Sequence, residues 1–546
     1  MLSRRSRAVA ALTALVAVVV VAGATGRRGV EPGGRLSAGR VQPAEVGTVS
    51  LDPVLGEQKR PNVVVIMADD MRDDDLRYMP RTHELLADQG VRFVNSFSPH
   101  PMCCPARASF VTGKYTHNHH VWANRGPHGG FPALDDSDTM PVDLSAAGYN
   151  TVFLGKYLNG YGKLDLPDGS SSSQTYVPPG WTDWRAAAAG IYSYFNTTLN
   201  INGILRGNRG WYQTRMLGAE AKDVISQYAR SPRPFFLWAS YVAPHIGTPF
   251  EKDDPMPIER EDGHLSRFQT PAVPADVRGL FDSTILRAPG DQGEADVSDK
   301  PFYIRDQPPA DLAERAALTE VTRQRAESLE VLDQEVARTV RTLDRTGELD
   351  NTMVMFTSDN GYLLGEHRIR QGKLVSYEPS LRVPLLVRGP GVPAGEVRSD
   401  PVLSTDFAPT LLELAGAAPD PAIDGASFLD ASGAGDPTRD TGWTRAIMTE
   451  TGPRSVSRAT ADGTLPPGAD ALRFIQGVRT GRYLYVEHAT GERELYDQRS
   501  DPDQLENIVT KKSAQPVAEQ MAAVLDELRD CVGPTCRQPV AASLHR

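Results

Sequence analysis

Two pairs of adjacent oxygen-bearing side chains stand out in this 546-residue chain. Asp69 and Asp70 follow the run Asn62-Val-Val-Val-Ile-Met67, and Asp359 and Asn360 follow Thr352-Met-Val-Met-Phe-Thr357 and Ser358. Adjacent residues leaving a strand can both turn toward one ion. Four oxygen donors, one an amide, suit a hard cation and suit zinc poorly, because zinc prefers His and Cys. Calcium fits the set better than magnesium, which usually keeps more of its waters. Either pair by itself reads equally well as the start of a loop, where Asp and Asn are common. Lys156 and His245 hold similar positions, after Thr151-Val-Phe-Leu154 and after Phe235–Val242. Cys103 and Cys104 are neighbours, too close for an unstrained bridge and without metal-ligand spacing. Asp73, Asp74 and Asp75 read as solvated carboxylates capping a helix.

Short β-branched runs of this kind are strands buried on both faces. In residues 319–344, Val321, Leu329, Leu332, Val336, Val340 and Leu343 recur at near-helical spacing, predicting an amphipathic helix just before a strand. Strands alternating with helices predict an α/β sheet, and polar residues beyond the carboxyl ends of such strands converge on one crevice. Four strands here end in a candidate functional group. Residues 250–318, rich in Asp, Glu and Pro, read as an insertion over the sheet. From 421 onward Arg473–Arg479, Tyr483–Glu487 and Glu494–Tyr496 predict short antiparallel strands, followed by a helix at 516–529. The expected organisation is a signal at 1–24, a linker at 25–59, a catalytic domain at 60–420 and a smaller C-terminal α+β subdomain at 421–546.

Arg4, Arg5 and Arg7 precede the apolar run Ala8–Ala24, which ends in the small-x-small pattern Ala22-Gly23-Ala24. This predicts export, with an uncleaved anchor as the alternative. No other segment approaches membrane-spanning length, so stable membrane insertion is not expected. In an exported chain Cys531 and Cys536 predict a small disulfide. The net charge of −11 argues against a nucleic-acid partner. A polyanionic substrate then requires a local cluster of Lys and Arg that overrides the global sign.

The segment Cys103-Cys104-Pro105-Ala106-Arg107, followed by Thr112-Gly113-Lys114, resembles the sulfatase signature, Cys-x-Pro-x-Arg with a Thr-Gly-Lys/Arg element. The family often has Ser where Ala106 stands. The resemblance implies that Cys103 is converted to formylglycine by a formylglycine-generating maturation enzyme, with Cys104 at the variable position. A hydrated aldehyde carries two hydroxyls on one carbon. One attacks sulfur and expels the alcohol; the other lets the carbonyl re-form and eject sulfate. Pro105 suits a helix start, whose dipole favours a developing anion, and Arg107 would hold the diol and a sulfate oxygen.

Matched position by position, the resemblance implies a catalytic set of Cys103, Arg107, Lys156, His245 and Lys373. The implied metal site is Asp69, Asp70, Cys103, Asp359 and Asn360. His245 in Ala-Pro-His would protonate the leaving oxygen, and Lys373 in Gln-Gly-Lys would bind sulfate. Many members carry His two residues past the first lysine, where this chain has Leu158, followed by Asn159. His117, His119 and His120 invite a zinc reading, but beside this nucleophile they are expected to line the substrate pocket. His367 and Arg370 are also expected to face substrate.

The resemblance runs over residues 60–510 and includes Leu403–Thr410 and the element from Glu494 to Asn507. The Gly113–His120 run, Lys156-Tyr-Leu-Asn159 and Val177-Pro-Pro-Gly-Trp181 look like N-acetylglucosamine-6-sulfatases. It implies an alkaline-phosphatase-like α/β sandwich with a large mixed, mostly parallel sheet flanked by helices. The function implied is a secreted sulfatase acting on sulfated sugars such as 6-O-sulfated N-acetylglucosamine. An arylsulfatase and a phosphodiester or phosphonate hydrolase are the enzymatic alternatives. A sulfated-glycan binding protein is the alternative if Cys103 is never oxidised.

Overall fold

The computed structural model describes residues 60–166, 173–260, 262–428, 442–452 and 473–545. The expected export signal and linker, 1–24 and 25–59, lie outside the described residues. The four apolar runs are strands: Asn62–Ala68 (β1), Asn150–Gly155 (β2), Phe235–Ser240 (β3) and Thr352–Ser358 (β4). Every residue in them is buried. Val63, Val65 and Met67 of β1 enter one core cluster, and Val64, Ile66 and Ala68 enter another. The unbroken apolar run thus reports helices on both faces of a central strand.

The first cluster holds Phe110 and Val111 of helix α1 (Cys103–Thr112) and Leu411 of helix Phe407–Leu414. The second holds Met216 and Leu217 of α2 (Gln213–Tyr228) and Leu329 and Leu332 of α3 (Leu312–Thr346). α3 begins seven residues before the predicted helix. Its start is fixed by a capping box, in which Asp311 accepts from Glu314 N at 2.8 Å and Glu314 accepts from Asp311 N at 3.1 Å. Its first turns pack Leu318 and Val321 on Phe268 and Tyr362, outside the main core. At the α2–α3 contact Gly218 leaves room for the buried Glu335 side chain, whose Oε2 a Cβ there would meet at 1.8 Å unless the carboxylate moved.

The large sheet has ten strands, and β4, β1, β3 and β2 lie side by side in its middle, all parallel. Ala68 is level with Ser358, Met67 with Ser240 and Gly155 with Ser240, so the four strands end within one residue of a common line. Beyond β2 the sheet continues through Asp183–Ala189, Asn196–Ile201 and Ile204–Arg209, which the apolar patterning does not reveal. The segment Arg185-Ala-Ala-Ala-Ala189 has helical propensity, and the open edge of β2 makes it a strand. The C-terminal residues form a separate four-stranded antiparallel sheet. Its first strand, Ile447–Thr451, was not predicted; the others are Ile475–Arg479, Tyr483–His488 and Arg493–Asp497. Helix Gln515–Leu528 packs on it through Met521 and Leu525. Cys531 and Cys536 form the expected disulfide, and Cys103 and Cys104 are free. Among the described residues no helix is long and apolar enough to cross a membrane.

Candidate active site

Successive side chains of an extended strand point to opposite faces, so Asp69 and Asp70 would diverge if β1 continued. Asp70 instead adopts φ 66°, in the left-handed region, and both carboxylates turn to one point. Asp359 arrives beside them from β4. Its Oδ1 accepts from the backbone N–H of Asp70 at 3.1 Å and of Asn360 at 2.9 Å. Asn360 Nδ2 donates to Asp70 Oδ1 at 2.8 Å. None of the four is more than 2% exposed.

Cys103 is the first residue of α1, and its Sγ lies 3.4 Å from Asp69 Oδ1 and 3.8 Å from Asp70 Oδ1. Cys104 turns away and belongs to the core cluster beneath, near the Asn159 carbonyl. Burial, with Asp69 beside it, pushes the Cys103 thiol well above its ordinary range. An unmodified Cys103 is therefore a neutral thiol at physiological pH and a poor nucleophile.

Arg107, one turn into α1, donates to Asp359 Oδ2 at 2.8 Å, the Lys156 carbonyl at 2.7 Å and Ser240 Oγ at 2.6 Å. Its Nη2 is buried without a partner. Lys156 pairs with Asp69 and Lys373 with Asp70. Lys373 Nζ also lies 2.8 Å from Cys103 Sγ and 3.2 Å from Asn360 Oδ1. Burial opposes ionisation of Asp69 and Asp70, yet the lysines outweigh it and hold both carboxyls below the usual range. Burial and the Asp69 charge instead push Asp359 up to about 6, against the pull of Arg107. Three carboxylates and three cationic side chains thus cancel in one buried pocket.

His245 presents Nε2 to the same pocket, 3.7 Å from Asp70 Oδ2. Its Nδ1 lies 2.6 Å from the Ile246 carbonyl, which can only accept, so the proton is on Nδ1. Burial lowers its pKa. Tyr192 stacks on the imidazole at 4.3 Å, and its hydroxyl accepts from Asn159 Nδ2 at 2.9 Å. Sequence reasoning missed Tyr192 and Ser240; neither sits in a motif, and only the fold brings them here.

The donor set suits a divalent cation. Ligand atoms of Asp69, Asp70, Cys103 and His245 lie within 4.8 Å of one another. The Lys373 ammonium already rests between Asp70, Asn360 and Cys103, so positive charge is accommodated where these groups converge.

Three expectations are corrected. His117 and His119 do not line the pocket. His117 Nδ1 lies 3.0 Å from Glu450 and its Nε2 3.0 Å from the Cys531 carbonyl, tying the loop after α1 to the disulfide region. His119 Nε2 lies 3.0 Å from Ser109 Oγ; His120 is exposed. Buried His367 pairs with Glu294 at 2.8 Å and stacks on Tyr377 instead of facing substrate. Asp73, Asp74 and Asp75 do form the first turn of a helix, Asp73–Tyr78, where Asp75 accepts from the Arg72 backbone N–H at 3.3 Å and Asp74 is exposed; the expected solvation fails at Asp75, which is buried against Arg325, and Asp73 pairs with Arg92. Arg370 does line a cavity next to Lys373.

Residues 61–417 match the family model described as Sulfatase. The chain is 34% identical to an arylsulfatase of Volvox carteri over 519 residues, covering 88% of this chain and 76% of that protein. It is 30% identical to the N-acetylglucosamine-6-sulfatase of Homo sapiens over 532 residues, covering 90% and 89%. A solved structure in complex with its substrate D-glucosamine-2-N,6-O-disulfate superposes with a TM-score of 0.64 at 21% identity, covering 86% of this chain and 98% of the other. That likeness establishes a common fold. Matching at this length and identity, the chain belongs to the sulfatase family, hydrolases of sulfuric esters built on the alkaline-phosphatase-like α/β fold.

Proposed function

We propose that this sulfatase is exported by residues 1–24, carries formylglycine at Cys103 and holds a divalent cation, calcium rather than magnesium, at Asp69, Asp70, Cys103, Asp359 and Asn360. Its proposed substrates are sulfated sugars such as 6-O-sulfated N-acetylglucosamine. The observation that carries the reading is the contrast between the two cysteines: Cys103 heads α1 and faces Asp69, Asp70 and Lys373, whereas Cys104 faces the core. A bound cation would polarise a sulfate oxygen as a Lewis acid. The modified side chain would supply a nucleophile that releases sulfate without water attacking sulfur.

The chain's own residues supply the rest. Lys156, Lys373 and Arg107 offset the charge of the sulfate oxygens, and the free Nη2 of Arg107 has a hydrogen bond to give. Without a cation the pocket is neutral; with one it carries the excess positive charge that a sulfate ester requires. The Ile246 carbonyl holds the Nδ1 proton of His245, so Nε2 is the nitrogen that takes up a second proton and, from the imidazolium, would donate it to the leaving oxygen. Sugar alkoxides leave poorly and need that proton. The Homo sapiens relative supports the sugar reading, and the Volvox carteri relative supports a second one, small aromatic sulfates.

Trypsin releases Phe93–Arg107 as one peptide. The reading expects it about 18 Da lighter than its thiol form, sulfur and two hydrogens lost and one oxygen gained. It also expects turnover of 6-O-sulfated N-acetylglucosamine that is abolished by Cys103→Ala or a chelator and largely kept in Cys104→Ala. An unmodified thiol in active protein, or equal losses in the two variants, overturns the Cys103 assignment. Turnover of aryl sulfates alone overturns the sugar assignment.

A further inference from the structure

Proton transfer needs its donor aimed to within a fraction of an ångström, and little in the loop that carries His245 aims it. Among the described residues the imidazole makes one hydrogen bond, from Nδ1 to the carbonyl of the next residue, Ile246. That bond is local and moves with the loop. On the other side Nε2 is 3.7 Å from Asp70 Oδ2, too far for a hydrogen bond.

The remaining anchorage comes from a distant hairpin. Strands Asp183–Ala189 and Asn196–Ile201 are antiparallel neighbours, and the turn between them brings two tyrosines to His245. Tyr192 stacks on the imidazole, with centroids 4.3 Å apart and planes within 18° of parallel. The Tyr194 hydroxyl donates to the His245 carbonyl at 2.7 Å. One tyrosine holds the ring; the other holds the backbone beneath it.

The turn is itself tied down. The Tyr192 carbonyl accepts from the Thr248 N–H at 2.8 Å, and the Tyr194 N–H donates to the Thr248 carbonyl at 2.9 Å. Gly247 permits this approach, since a Cβ there would meet the Tyr192 carbonyl oxygen at 2.7 Å and the Tyr194 ring at 2.6 Å. Buried Gln213, the first residue of α2, donates its N–H to the Tyr194 carbonyl at 2.6 Å and its Nε2 to the Ile191 carbonyl at 2.9 Å. Tyr192 also meets the loop after β2. The Lys156 ammonium lies 5.1 Å from its ring centroid, within cation–π range, and its hydroxyl accepts from Asn159 Nδ2 at 2.9 Å. The loops after β2 and β3 thus converge on one aromatic ring.

We propose that Tyr192 is the positioning residue for His245, holding Nε2 toward the leaving oxygen without itself touching the reacting atoms. The proposal rests on the reading of His245 as proton donor and deepens it by naming what aims the donor. Donor and acceptor must approach to about 3 Å, and a displacement of about 1 Å is enough to slow such a step on the order of 10²-fold.

The test compares steady-state turnover of 6-O-sulfated N-acetylglucosamine and of an activated aryl sulfate by full-length, matured enzyme. Tyr192→Leu is expected to lower kcat on the sugar about tenfold and on the aryl sulfate less than about twofold, with KM nearly unchanged. Tyr192→Phe keeps the stack and should retain at least about a third of kcat on the sugar. In a His245→Ala background Tyr192→Leu should cost nothing further, because no imidazole remains to be aimed. Losses that multiply in the double variant overturn the proposal, since Tyr192 would then act on the substrate or through Lys156. An equal loss on both substrates overturns it, as does a raised KM at unchanged kcat. Tyr192→Met, longer and flexible, gives the same comparison if the Leu variant does not fold. His245→Ala separates the two readings. If that variant slows both substrates equally, the donor reading fails and the positioning with it. If it discriminates between them and Tyr192→Leu does not, the positioning alone fails.

Discussion

The Arg107–Asp359 pair offers the sharpest test of how the pocket is balanced. Both side chains are 0% exposed and 2.8 Å apart. Replacing Arg107 by Met leaves the Asp359 carboxylate buried, with two backbone N–H groups and no bonded cation. Replacing Asp359 by Asn leaves the guanidinium without its carboxylate. Stranding a buried charge costs about 3–5 kcal/mol. The double variant strands neither, so it should cost less than the sum of the singles by about 3 kcal/mol. Urea unfolding in the presence of a chelator measures this, because a bound cation would itself compensate Asp359. Burial and Asp69 already hold Asp359 up at about 6, so Arg107→Met can relieve its penalty by protonation at low pH. Its cost should accordingly grow from pH 5 to pH 8. Additivity within about 0.5 kcal/mol would refute the claim that Arg107 exists to balance Asp359.

Other perturbations probe separate parts of the molecule. His245→Ala should slow sugar sulfates by about 10²-fold or more and activated aryl sulfates much less, because only the sugar alkoxide needs a proton; a uniform loss of kcat counts against that role. Glu335, between α2 and α3, is held up at about 7 by burial, which outweighs Arg338. An acid whose folded pKa exceeds its unfolded value binds extra protons when folded, so its contribution is favourable below about 4.5 and lost as pH rises through about 7. Glu335→Gln should therefore stabilise the protein by up to about 3 kcal/mol at pH 8 and little at pH 4, and equal effects at both pH values would refute it.

What the amino-acid sequence determined by itself was local or periodic. β1, β2, β3 and β4 were legible because strands covered on both faces become unbroken apolar runs, and the polar residue ending each run marks the crevice. The Cys103–Arg107 signature was legible because its residues are contiguous in the chain and resemble the sulfatase motif. The tertiary structure alone decided which polar groups meet. His117 and His119 look like pocket residues in a line of text, yet Glu450 and Ser109 claim them. Asp75 looks solvated until Arg325, 250 residues away, closes on it. Tyr192, the left-handed turn at Asp70 and the cavity next to Lys373 left no periodic trace, since each depends on contacts between segments far apart in the chain. Periodicity records which side of an element is dry; it carries no information on which distant charge will neutralise another, and the chemistry of this pocket is made of such pairs.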